Sequence, residues 1–233
     1  MTDPDHPTIL RLQQLAAIGE LGAGVTHETR NLLTAILGFA QLARQRPDPE
    51  AQRRYVEMIE REALRAVELL EGFLTFARID TGETELLDVG GMIAQIVGVS
   101  THQVAMRRIE IGSTIARDLP KIRGSRGSLT QVLLNVLINA MHATPDGGRI
   151  EIEARSTPAG LEIVISDSGE GVPVELRERI FEPFFTTKAA GSGTGLGLAL
   201  CRRILSSTGG SIEYATAASG GASFIIRLQA SPA

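Results

Sequence analysis

Three places in this sequence combine residue types and spacing that suit chemistry. The first is the polar run His27, Glu28, Thr29, Arg30, Asn31 inside the otherwise apolar stretch from Val25 to Ile36. On a helix of 3.6 residues per turn, His27 lies about 200° from both Val25 and Thr29. Those two share an apolar stripe, so the imidazole points outward. Asn31 stands four residues on and shares its face, which Thr34 and Gly38 continue. The result is a solvent-facing polar patch centred on an imidazole. Taken alone it also fits a plain solvated helix face. The second place is Asn135, Asn139 and His142, helically spaced on one face with Leu133, Leu137 and Met141 on the other. An amide in mid-helix needs partners if covered, and its carbonyl oxygen suits Mg²⁺, a hard ion that keeps several waters.

The third place is a pair of glycine-rich segments. "DSGEGVP", Asp167 to Pro173, follows a strand pattern directly. Gly169 and Gly171 permit a turn and close approach of a ligand, and the Asp167 carboxylate can accept a hydrogen bond from an exocyclic amine such as adenine's. The same residues suit an ordinary Asp-Ser-Gly turn. "FEPFFTTKAAGSGTGLGL" runs from Phe181 to Leu198, with Gly191, Gly193, Gly195 and Gly197 alternating ahead of a helix. Such a loop can wrap amides around phosphate oxygens, with Lys188 as an added point charge. Its spacing matches neither the G-x-G-x-x-G nor the Walker A pattern. A surface loop is the alternative.

These groups need positioning elements. Ile18, Gly22, Val25, Thr29, Leu32, Ile36, Phe39 and Ala43 recur by threes and fours, which predicts one long helix. The two prolines of Arg46–Pro49 end it. Tyr55, Ile59, Ala63, Ala66, Leu70, Phe73 and Ala77 predict a second helix. Joined by a short turn, the two form an antiparallel hairpin whose stripe needs a second hairpin, so a homodimeric four-helix bundle is expected. "TGETE", Thr81 to Glu85, reads as a linker. Beyond it, 149–155 with 161–166 and 211–228 read as β-hairpins, while 128–144 and 195–208 read as helices. The fold expected there is α+β with a mostly antiparallel sheet. The boundaries expected are a tail over 1–8, the hairpin over 9–80, the linker over 81–85 and the α+β domain over 86–233.

Composition narrows the function classes. At 43% hydrophobic and 21% charged, the 233 residues suit globular domains rather than disorder. A net charge of −4 argues against a general nucleic-acid binder. The lone cysteine, Cys201, suits a buried small hydrophobe in a reducing compartment. No apolar run reaches the roughly 20 residues of a membrane span, and the N-terminus lacks signal-peptide features. A cytoplasmic location is expected, with any membrane sensing left to a separate sensor or upstream partner. His6 and His102 show no metal-ligand spacing.

From about Leu10 to Leu228 the chain resembles a two-component sensor histidine kinase. "HETRN" is similar to the family's H box, "NVLINA" to the N box, "DSGEGVP" to the first G box, "FEPFF" to the F box and "GTGLGL" to the second G box. All five stand in the family's order and at its separations. The resemblance implies a dimerisation and phosphotransfer hairpin followed by a Bergerat-type ATP-binding sandwich. It makes His27 the phosphoacceptor and has Glu28 hold one ring nitrogen so that the other can attack phosphorus. It assigns Asn139 to Mg²⁺ and Asn135 to a place beside the phosphates. Asp167 takes the adenine amine, in a pocket shaped by Gly169 and Gly171. Lys188, Gly193, Gly195 and Gly197 cover the triphosphate. It further implies ATP as the phosphoryl donor, a response regulator as partner, and a water-orienting role for Asn31 in removing phosphate from that regulator. A degenerate nucleotide-binding scaffold is the alternative.

Two departures from the family pattern stand out. Leu32 occupies the position after Asn31 where proline is common, which predicts a straighter first helix. Thr29 places a hydroxyl on a stripe where the family commonly has Ile or Leu.

Overall fold

The computed structural model describes residues 6–45, 48–77, 83–187 and 195–230. The chain divides into two compact units, one of residues 1–79 with 183–196 and the other of 80–182 with 197–233.

The first unit is built on α1 (His6–Gln45) and α2 (Pro49–Ala77). Arg46 and Pro47 lie outside the described residues. Asp48 starts α2 by accepting from the amides of Glu50 at 3.2 Å and Ala51 at 3.3 Å. Pro49, with no amide hydrogen to satisfy, fits the first helical position. Val25, Leu32, Ala66 and Leu69 form the buried core, joined by Leu196 and by the partly buried Phe73 and Phe184. Phe39 stacks on Tyr55 with ring centroids 6.5 Å apart. The predicted α1 stripe holds: Val25 and Leu32 are buried, and Thr29, Ile36, Phe39 and Ala43 are half-buried. On α2, Ala66 is buried and Tyr55, Ile59, Ala63 and Phe73 are half-buried as expected, and one position differs. Leu69 is 3% exposed and Leu70 is 43% exposed, because the buried line steps by three from Ala66. Helix α1 runs unbroken through Leu32.

The second unit pairs a five-stranded sheet with helices. After β1 (Glu85–Leu87) come α3 (Val89–Val104), β2 (Glu110–Ile115), β3 (Ile122–Gly124), α4 (Arg126–Ala143), β4 (Arg149–Thr157), β5 (Gly160–Asp167), α5 (Gly197–Ser207), β6 (Ser211–Thr216) and β7 (Ala222–Gln229). The large sheet has the order β2-β4-β5-β7-β6, while β1 and β3 form a separate two-stranded ribbon. Only the β2–β4 pairing in the large sheet is parallel; β4–β5, β5–β7 and β6–β7 are antiparallel. Side-chain alternation gives the sheet two unlike faces. Ile150, Ile152 and Ala154 of β4 pair with Asp167, Ile165 and Ile163 of β5 on the covered face. Ile93 and Ile96 of α3 and Leu133 and Leu137 of α4 meet Ile152 and Ile165 there. The other face carries a charged row, in which Glu162 accepts from Arg155 and Arg227.

The two predicted β-hairpins and both predicted helices of this unit are present, each within a few residues of the expected bounds. The sequence pattern did not predict α3, β2 or the β1–β3 ribbon. Asp88 caps α3 through the amide of Gly91 at 3.1 Å, and Ser125 caps α4 through that of Ser128 at 3.3 Å.

Candidate functional site

In the helical unit, His27, Glu28 and Asn31 are all exposed, as the helical phase requires. Asn31 Nδ2 lies 3.1 Å from His27 Nδ1. Among the described residues no hydrogen bond joins Glu28 to the ring; Asn31 occupies the place expected for the carboxylate. Three threonines surround the patch. Thr26 and Thr34 donate back to the carbonyls of Gly22 at 2.7 Å and Arg30 at 2.8 Å, four residues earlier. Thr29 does not, and its Oγ1 is buried without a partner among the described residues.

In the α/β unit, Asp167 ends β5 on the covered face and is 3% exposed. Its Oδ1 accepts from the amides of Gly169 at 2.9 Å and Ala222 at 3.2 Å. Burial pushes the Asp167 carboxyl above its ordinary range, and those two amides only partly offset the effect. Oδ2 takes no hydrogen bond from the described residues, which leaves one lone-pair-rich atom for an incoming amine. The glycines beside it are sterically required. A Cβ on Gly169 would lie 2.5 Å from the carbonyl oxygen of Ala143, and Gly171 has φ +71°.

Sequence reading missed a second wall to this acid. Ser219 Oγ donates to the Asp167 carbonyl at 2.9 Å, and a Cβ on Gly221 would lie 2.1 Å from that oxygen. The signal was present as "SGG" between β6 and β7, but it reads equally as turn chemistry. Tyr214 was also missed. Its hydroxyl accepts from the amide of Val172 at 3.0 Å and so fixes the segment after Gly171.

On α4, Gln131 Nε2 donates to Asn135 Oδ1 at 3.0 Å, and Asn135 Nδ2 donates to the Gly197 carbonyl at 3.3 Å. Asn135 therefore ties α4 to the first turn of α5. Asn139 is half-buried one turn further along the same face, and His142 is exposed beyond it. Gly195 has φ +67° and packs on the Phe184 backbone in the helical unit. Lys188, Gly191 and Gly193 lie outside the described residues. Cys201 is buried, as predicted, with its thiol against the Val132 carbonyl at 3.7 Å and burial pushing it up to about 12. Among the described residues no group of three or more His, Cys, Asp or Glu side chains is placed to hold a metal. The amide oxygen of Asn139 is of the hard type that suits Mg²⁺.

The α/β unit thus holds a buried carboxylate in a glycine cradle at a strand end, and the helical unit carries an outward imidazole on a helical hairpin. Residues 17–82 match the His Kinase A (phospho-acceptor) domain, and residues 124–232 match the histidine kinase-, DNA gyrase B- and HSP90-like ATPases. The chain is 35% identical over 221 residues to the signal transduction histidine-protein kinase AtoS of Escherichia coli (strain K12), a match covering 94% of this chain and 36% of AtoS. The catalytic domain of histidine kinase ThkA superposes with a TM-score of 0.59 at 30% identity, over 63% of this chain and 95% of that one. ThkA in complex with response regulator protein TrrA superposes with a TM-score of 0.78 at 29% identity, over 95% of this chain and 64% of that one. The chain belongs to the two-component sensor histidine kinase family. It spans about a third to a half of the length of the curated relatives AtoS and ZraS.

Proposed function

We infer that this chain is an ATP-dependent protein-histidine kinase that phosphorylates its own His27 and passes the phosphoryl group to an aspartate of a response regulator. One observation carries the reading: an exposed imidazole on a phosphoacceptor hairpin and a buried acid in an ATPase sandwich belong to the same chain. Asp167 Oδ2 accepts the adenine amine, while Gly169 and Gly171 let the base approach. Asn135 holds the start of α5 against α4, so the amides of that first turn face the phosphates. Lys188, Gly193, Gly195 and Gly197 contribute charge and amides to the same phosphates. Mg²⁺, when bound, neutralises phosphate charge, and Asn139 Oδ1 is the protein's donor to it. Phosphoryl transfer then depends on in-line positioning of the His27 lone pair. Glu28 is the base nearest in sequence for the remaining ring proton.

The partners follow from the same reading. A second copy of the chain covers the apolar face of the hairpin. A receiver domain meets the His27 patch, as the ThkA complex with TrrA suggests by analogy. Asn31 orients the water that later removes phosphate from the regulator. No helix among the described residues is long and apolar enough to cross a membrane. A cytoplasmic location is proposed because that is where ATP and a receiver domain would meet the site. The domain roles proposed are phosphotransfer for 9–80 and catalysis for 86–233.

Incubation with γ-labelled ATP and Mg²⁺ tests the reading. The expected result is an acid-labile, alkali-stable label that disappears in His27→Gln. An acid-stable label would mean hydroxyl phosphorylation, and retained nucleotide binding without label would mean a scaffold.

A further inference from the structure

The contact between Asn31 and His27 has chemical content beyond proximity. A carboxamide nitrogen only donates, so the 3.1 Å approach of Nδ2 to Nδ1 is a hydrogen bond in the tautomer whose Nδ1 accepts. A neutral ring that accepts at Nδ1 carries its proton on Nε2. In that tautomer Nε2 has no lone pair to offer phosphorus, and the Nδ1 lone pair is held by the amide. Neither nitrogen is a free nucleophile. Turning the same carboxamide over sets Oδ1 against the ring, where it accepts from Nδ1–H and frees the Nε2 lone pair. One side chain thus has two settings, and each selects one tautomer.

We propose that Asn31 is a positioning residue that sets the tautomer of His27, holding it in the structure's arrangement as a resting, non-nucleophilic ring. The proposal rests on His27 being the phosphoacceptor. It adds a brake on the first step to the later role that the sequence suggests for Asn31. Two features support a built latch. The residues stand four apart on an unbroken helix, so their side chains meet without backbone movement. The carboxylate next in sequence, Glu28, is exposed and makes no described bond to the ring, so nothing competes for Nδ1 in this arrangement. With the latch released, the Nε2 lone pair forms the N–P bond as the bond from Pγ to the bridging oxygen breaks. ADP leaves with that electron pair, and the cationic ring then loses its Nδ1 proton to a base, Glu28 or solvent, because a carboxamide oxygen does not take it.

The experiment uses the full chain with ¹⁵N-labelled histidine, at about pH 9 where an ordinary imidazole is neutral. The two ring-nitrogen shifts of His27 report the tautomer without any nucleotide. His27→Gln assigns the signals, and circular dichroism confirms folding. In the wild type the pyridine-type shift belongs to Nδ1. In Asn31→Asp, whose side chain only accepts, it moves to Nε2. Asn31→Ala falls between, with the tautomer ratio changed about fivefold, the order of one net hydrogen bond. Initial autophosphorylation rates rise in the same order, wild type below Asn31→Ala below Asn31→Asp. Identical ring shifts in all three proteins overturn the proposal, as do rates in both variants at or below wild type. Failure of the wild type to take an acid-labile label on His27 would instead sink the kinase reading, and the ring shifts would still decide the tautomer question.

Discussion

At the scale of single residues, the two units each hold one polar group that works against folding. Asp167 is the one assigned to the proposed nucleotide site. Burial raises its pKa, so the ionised form is penalised in the folded state, and the penalty is complete above the folded pKa and gone below the unfolded one. Asn at this position keeps an oxygen for the amides of Gly169 and Ala222 but carries no charge. Asp167→Asn is therefore expected to melt at an equal or higher temperature than wild type at about pH 7, with the gap closing toward pH 3. It also loses the acceptor for an exocyclic amine, so ATP affinity falls about 10–100-fold, the range of a hydrogen bond to a charged group. Thermal scans at both pH values and calorimetric titration with ATP check the pair of effects. A variant that lost stability and binding together would show Asp167 to be a folding residue instead. Thr29 is the second such group. Its buried hydroxyl lacks a partner among the described residues while Thr26 and Thr34 satisfy theirs. Thr29→Val is expected to stabilise the hairpin by about 1–2 kcal/mol, read as a higher denaturation midpoint. Thr26→Val, which discards a bond already made at an exposed site, should give no such gain.

At the scale of elements, what could be read from the sequence tracks how local its physics is. The outward placement of His27 needed only the α1 repeat. β4 and β5 announce themselves because strict alternation serves one covered face and one charged face. Strand β2 does not: it is a short edge strand, half-exposed on both faces, with Gly112 inside it. Helix α3 opens with two glycines after its first residue, which hides its start. The cradle around Asp167 was unreadable for another reason, since Ser219, Gly221 and Ala222 reach it only through the β5–β7 pairing. The charged face of the sheet owes its one buried acid to the same pairing. Glu162 is 7% exposed, and burial alone would raise its pKa. Hydrogen bonds from Arg155 and Arg227 outweigh that and hold it below its usual range. Arg227 also pairs with Glu213 on β6 at 2.7 Å, so the four neighbouring strands β4, β5, β7 and β6 share one network. A depressed carboxylate contributes stability above its unfolded pKa and loses it as pH falls through the folded pKa. Glu162→Gln is expected to destabilise the α/β unit by about 1–3 kcal/mol at neutral pH, since Arg155 loses its counter-ion and Arg227 keeps only Glu213. Its stability should also fall less steeply between about pH 5 and pH 2 than that of wild type. Urea titrations across that range would show it, and parallel acid limbs would remove Glu162 from the account.

At the scale of the molecule, the hairpin has more apolar surface than two helices can cover. Leu33 and Leu37 on α1 are 51% and 63% exposed, and Leu64, Val67 and Leu74 on α2 are 58%, 51% and 55% exposed. Spacings of four on α1 and of three and seven on α2 put these residues along continuous lines, unlike singly scattered surface leucines. The stripe is what a two-fold partner would bury, each residue being used twice in a self-complementary interface. In light scattering after gel filtration, the wild type is expected at twice the 24.9 kDa of one chain. Leu37→Glu combined with Val67→Glu places charges where the bundle core would form, on residues whose own fold leaves them in solvent. The monomer should keep its helical circular dichroism, and the dimer should weaken by more than about 100-fold, because two unpaired carboxylates per protomer cost several kcal/mol to bury. A double variant that still ran as a dimer would move the interface to another face. A wild type that ran as a monomer at micromolar concentration would leave the stripe for a different partner.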